Sequence, residues 1–227
     1  LALFIVASMV AVDGTVKPEI ARAYQTPFES PPFGRDERGI PLTQYAMQGA
    51  AIVAIPSVVA GVVVMLMATF AGLVRCAGVG WFDQALQVFT EFVGALPRLV
   101  VVLVVALLVP AEHKGLLPIA VLWALLASPG AMDEAAATAG RLGGERFVEA
   151  LRAHGFSAIR IYLYHVIFLN LRPVLMRQGA EVMMQVVFLE IALSYLAVSQ
   201  REPSFTHGDD VSSWATLLYQ GYSWLLG

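Results

Sequence analysis

The chain has 227 residues, a formal net charge of −3, 58% hydrophobic residues and only 14% charged ones. Soluble domains carry about 25% charged residues, so this composition excludes an ordinary water-soluble domain and indicates a membrane protein. A weakly acidic chain without a basic tail also excludes nucleic acid as a partner.

Residues 1–12 are apolar. Twelve residues of helix cover about 18 Å, short of a hydrocarbon core of about 30 Å, so this run reads as a truncated first transmembrane helix. A signal peptide would open on basic residues. Residues 13–49 are a polar loop holding Pro18, Pro27, Pro31, Pro32 and Pro41, which forbid a long regular helix.

Residues 50–132 are expected to contain transmembrane helices 2 to 4. Residues 50–74 carry no charge and form the clearest span, with Pro56 and Gly61 as kink points. Residues 75–87 read as a short loop around Gly78 and Gly80. The third span must begin near Phe89 and include Glu91 and Arg98, which fall on one face of a continuous helix about 20° apart. A tight turn is expected at Glu112-His113-Lys114-Gly115, and residues 116–132 return through the membrane.

Residues 133–160 form a charged loop, and residues 161–198 a fifth transmembrane helix. Residues 199–227 combine a polar loop with the start of a further helix. The fold class is therefore an all-α polytopic membrane protein with five spans visible, the first partial, and a sixth outside this chain. Lys and Arg are spread over both sides, so charge alone does not orient it.

Within the charged loop, residues 145–153 favour helix. Phe147, Ala150, Leu151 and His154 recur at helical spacing and share one face. Glu145, Glu149 and Arg152 lie on another, where Glu149 and Arg152 are spaced to pair weakly. Gly155 is suited to a left-handed C-terminal position. On pattern alone, this helix either docks on a partner or lies on lipid headgroups.

In the fifth span, Arg177 precedes Glu181 by one helical turn and is expected to pair with it structurally. Glu190 lies about 180° from Glu181; lining a pathway and bonding to a neighbouring helix are both open to it. Met176, Met183 and Met184 share this span. Cys76 reads as buried filler. The Asp36-Glu37 pair lacks the further oxygen ligands a cation needs, and His113, His154, His165 and His207 are too scattered for a metal cage. No nucleophile–base arrangement and no phosphate-binding loop occur, so neither enzymatic activity nor a cofactor is expected of this chain.

Phe147-Val148-Glu149-Ala150-Leu151-Arg152-Ala153-His154-Gly155-Phe156-Ser157, followed by Arg160-Ile161 and His165-Val166-Ile167, resembles the EAA-type coupling motif of ATP-binding-cassette (ABC) importer permeases of the dipeptide, oligopeptide and nickel class. Ser128-Pro129-Gly130 resembles the W-P-G upstream of it. Pro32-Phe33-Gly34-Arg35-Asp36-Glu37-Arg38-Gly39 resembles the family's P-F-G-T-D-E-L-G-R-D. Gly80-Trp81-Phe82-Asp83, Ala95-Leu96-Pro97, Glu190 with Ser194-Tyr195-Leu196, and Ser213-Trp214-Ala215-Thr216-Leu217-Leu218 match further motifs in the same order. The chain departs from the family at Met132-Asp133-Glu134-Ala135, where basic residues are usual, and at Leu151 and His154. Phe168 replaces a proline, and one residue is inserted before Asn170.

The resemblance implies a type I ABC importer permease fold, with residues 13–49 extracytoplasmic and residues 133–160 cytoplasmic. It assigns Phe147, Glu149, Ala150, Leu151, Arg152, His154 and Gly155 to ATPase coupling. It also implies a second permease subunit, two cytoplasmic ATPase subunits that bind ATP and Mg, an extracytoplasmic solute-binding protein, and a bacterial inner membrane. The alternative expectation is a permease-like structural subunit that scaffolds a larger complex without transport.

Overall fold

A computed structural model describes residues 19–36, 38–78, 80–109, 115–199 and 221–222, with side chains within the last long helix described to residue 193. The expected first span at residues 1–12, Glu37, the turn at 112–114 and residues 200–220 lie outside these residues, as do His113 and His207. Among the described residues the secondary structure is helical. Helix α1 spans Leu42–Ala77, α2 Gly80–Gly94, α3 Arg98–Leu108, α4 Leu116–Gly143 and α5 Arg146–Ala153. A π-helical segment, Arg160–Leu171, runs directly into α6, Arg172–Ser199.

Helices α1 and α4 are long and apolar enough to cross a membrane, and α2 with α3 is a third crossing if that bent pair is one span. Helix α1 starts at Leu42, well before the expected span at residues 50–74, and includes Pro56, which has no N–H to donate to the preceding turn. The expected loop at residues 75–87 is corrected: only the turn around Gly78, at φ +68°, separates α1 from α2. The expected continuous third helix is also corrected. Its two halves meet at 74° across Ala95–Pro97, because proline disfavours helix in the residue before it while fitting the first turn of the next. Helix α4 continues to Gly143, so the first part of the charged loop is helical. The expected fifth span is helical throughout, as the π-helical segment followed by α6.

The chain falls into two compact units: residues 1–56, 109–117 and 187–227, and residues 57–108 with 118–186. In the first unit the loop before α1 is a folded structure. An isolated antiparallel bridge joins Arg35 to Pro41. Asp36 Oδ1 accepts from the Arg38 and Ile40 amides, and Oδ2 accepts from the Tyr45 hydroxyl at 2.6 Å. Those bonds tie the loop to the first turn of α1. The positive φ of Gly39, +74°, belongs to this turn, and a Cβ there would lie 2.0 Å from the Glu19 carbonyl oxygen. Asp36 is thus a turn-forming residue.

The second unit is built on small residues. Helix α1 buries Ala60, Val64, Ala68 and Ala71; α4 buries Ala120, Ala124, Ala127, Ala131, Ala135 and Ala139. Small side chains let helix backbones approach closely where lipid offers no hydrophobic drive for association. Helices α1 and α6 approach closely: a Cβ on Gly61 would sit 2.8 Å from Met183 Cγ and 3.1 Å from the Gly179 carbonyl oxygen. Met183 fills the space beside Gly61, whereas Met176 and Met184 are exposed. The Cys76 thiol donates to the Ala139 carbonyl oxygen at 3.2 Å and is half-buried between α1 and α4. Outward faces carry Val62, Leu66 and Phe70 on α1 and Leu99, Val100, Leu103 and Leu107 on α3. Apolar exposure on this scale belongs in lipid rather than water.

Candidate functional site

Helix α5 is separated from the end of α4 only by Gly144 and Glu145. Glu145 is extended at φ −76° and ψ 151°, and its carbonyl accepts from the Val148 amide at 3.0 Å. Glu149 lies in the first turn and Arg152 in the last, the arrangement a helix dipole favours. The helix closes with paired backbone bonds: Gly155 N–H to the Arg152 oxygen at 2.9 Å, and Phe156 N–H to the Leu151 oxygen at 3.2 Å. This is a Schellman turn, which needs a left-handed residue after the cap. Gly155 supplies it at φ +79°, as the sequence implies. His154 Nδ1 lies 2.7 Å from the Ala150 oxygen, a bond that places the ring proton on Nδ1.

The buried face of α5 is not the one periodicity selects. Val148 is 0% exposed, whereas Phe147 and Leu151 are half-buried and Ala150 and His154 are exposed. The helix therefore seats on Val148 and turns its Phe147–Leu151 edge partly outward. Ala150, His154, Glu149 and Gly155 stand in solvent around that edge. The expected Glu149–Arg152 pairing is corrected: Arg152 donates to the Tyr162 hydroxyl and lies over that ring, 5.9 Å from its centre. Tyr162 has no counterpart in the sequence reading, because its partnership spans the turn after α5 and obeys no helical spacing.

Behind α5 lies the π-helical segment, on which it packs. A π-helix bonds each amide to the carbonyl five residues back, and such turns are mostly brief and tied to functional sites. Here the geometry runs for 12 residues. The inserted residue noted before Asn170 falls inside it, and the Asn170 side-chain amide donates to the His165 oxygen at 2.6 Å. His165 is edge-on to both Phe156 and Tyr164, with centroids at 5.8 and 5.2 Å.

The expected Arg177–Glu181 pair is replaced. Arg177 and Gln178 both donate to the carboxylate of Glu134 on α4. Glu181 instead accepts from the Gln185 side-chain amide at 3.3 Å, and Gln185 Oε1 accepts from Trp123 Nε1 at 3.0 Å. Both sets of bonds link α4 and α6, and the acid paired with Arg177 is Glu134 rather than Glu181. Glu190, in the other unit, is buried at 2% exposure. A cleft of about 200 Å³ lies beside the junction of α1, α2 and α4. The Arg75–Asp83 ion pair, Gln87, Thr90 and Asp133 line it above Ala71 and Met132. Among the described residues no cluster of His, Cys, Asp and Glu has metal-binding geometry.

No known protein family matches this chain, and no curated protein matches it significantly.

Proposed function

We propose that this chain is a membrane subunit of an ATP-driven importer, of the ABC permease class that moves dipeptides, oligopeptides or nickel chelates. The observation that carries the reading is helix α5. It is short, polar and closed by a Schellman turn. It follows a membrane-length helix and presents a half-exposed apolar edge at Phe147 and Leu151. A helix of this length with exposed apolar surface gains stability when a partner covers it. The collinear motif resemblance supports a cytoplasmic ATPase as that partner.

In this reading the chain performs no bond chemistry. ATP and Mg bind to two partner ATPases, and their closure displaces α5. A second permease subunit completes the pathway, and an extracytoplasmic binding protein delivers the solute. The spans then rock between outward-open and inward-open states in a bacterial inner membrane. Phe147, Glu149, Ala150, Leu151, Arg152, His154 and Gly155 form or frame the docking surface, while Glu190 is the acid best suited to a pathway role.

The test is reconstitution of the full complex in liposomes with Glu149→Ala and Gly155→Ala variants. Stimulation of ATP hydrolysis by loaded binding protein is expected to fall severalfold in each. Stimulation equal to wild type in both variants would remove α5 from the coupling role.

A further inference from the structure

The end of α5 is a joint. Gly155 is left-handed, and a Cβ placed on it would meet nothing within 4 Å. A helix pushed from outside would swing about such a point rather than move what lies beyond it. One contact crosses the joint, and a second braces the residue just beyond it, Phe156, whose amide is bonded to the Leu151 oxygen of α5. From α5, Arg152 reaches forward to the Tyr162 hydroxyl and ring. From the first residue of the π-helical segment, Arg160 reaches back over the Phe156 ring at 4.8 Å. Phe156 in turn stands edge-on to His165, one wide turn further along. Guanidinium groups favour the faces of aromatic rings, and the Tyr hydroxyl adds a charge-assisted bond.

We propose that Arg152–Tyr162 forms a clasp that locks the joint at Gly155, braced by Arg160–Phe156 just beyond it. Helix α5 and the π-helical segment then move as one body, and Tyr162 is a positioning residue for the docking helix. The clasp holds whether or not a partner is bound; its purpose, delivering force from α5 to the membrane helix, rests on the importer reading above. The wide helix is a suitable receiver, because returning one π turn to α geometry releases about one residue, a step of about 1.5 Å along the axis.

Hydrogen exchange on the full chain in lipid nanodiscs tests the clasp without any partner. In an Arg152→Gln/Phe156→Leu double variant, amides of residues 148–156 are expected to exchange about tenfold faster than in wild type, with residues 57–77 unchanged. Tyr162→Phe keeps the ring and removes only the hydroxyl, so about threefold is expected. Tyr164→Phe, whose ring faces His165 and Phe168 instead of α5, is expected to change nothing there. Wild-type exchange at 148–156 in the double variant overturns the clasp, as does an equal rise at 57–77.

In the reconstituted complex, Tyr162→Phe is expected to lower solute moved per ATP hydrolysed while hydrolysis persists. Unchanged stoichiometry alongside faster exchange overturns the transmission role and leaves the contact as local packing. Absence of any ATPase association in wild type overturns the importer reading alone, since the exchange result judges the clasp separately.

Discussion

Substituting Gly61 probes the close approach of α1 and α6. A Cβ at Gly61 would lie 2.8 Å from Met183 Cγ and 3.1 Å from the Gly179 carbonyl oxygen, against about 3.5–4.0 Å for ordinary carbon contact. Met183 can yield, because methionine repacks easily; the Gly179 oxygen is backbone and yields only if α6 shifts. Overpacking of this kind costs about 1–3 kcal/mol, and replacing glycine by alanine within a helix returns about 1 kcal/mol. Gly61→Ala is therefore expected to lose about 0–2 kcal/mol. Gly61→Leu, which forces the backbones apart, is expected to lose about 3 kcal/mol or more. Gly130→Ala is the control: it lies within α4, and its added methyl meets nothing within 4 Å. It is expected to gain about 0.5–1 kcal/mol. Unfolding in mixed micelles against SDS, followed by far-UV circular dichroism, measures all three. A Gly61→Leu chain as stable as wild type, or a Gly130→Ala chain as damaged as Gly61→Leu, refutes the close-approach argument.

Two further predictions concern partners assigned above. Glu134→Ala removes the shared acceptor of Arg177 and Gln178 and is expected to lose about 1–2 kcal/mol, whereas Glu181→Ala, losing one neutral donor at 3.3 Å, is expected to lose under about 1 kcal/mol; the same unfolding assay orders them. Val148→Ala removes two methyl groups from a fully buried side chain and is expected to cost about 2 kcal/mol locally, read as faster amide exchange in α5, while Ala150→Ser on its exposed side is expected to have little effect.

The features legible in the sequence were those set by local rules. A run of charges between apolar stretches located α5, and the need for a left-handed residue located Gly155. Features set by tertiary contact were not legible. Periodicity chose the Phe147–Leu151 face because it contains more apolar residues, but the side chain of α5 that is fully buried is Val148. Arg177 had an acid one turn away in sequence, yet Glu134 on another helix is its partner. The bend between α2 and α3 was signalled by Pro97; the demand for a membrane-length span overrode that signal. Gly78 and Gly80 read together as a loop, though only Gly78 adopts a positive φ and Gly80 begins the next helix. The inserted residue before Asn170 was visible as a departure from a motif, and its physical form, a wide-turn helix, required the backbone.

The most direct test of the central claim is to find what covers α5. A photo-cross-linking residue placed at Leu151, in membranes from cells expressing the intact transporter components, reports the neighbour of that edge; the same residue at Phe28, 97% exposed in the loop before α1, serves as the comparison. The account predicts an adduct from position 151 with a polypeptide that binds and hydrolyses ATP, and none with that polypeptide from position 28. Adducts from position 151 with lipid alone would contradict it, and would return α5 to the role of a helix resting on the membrane surface.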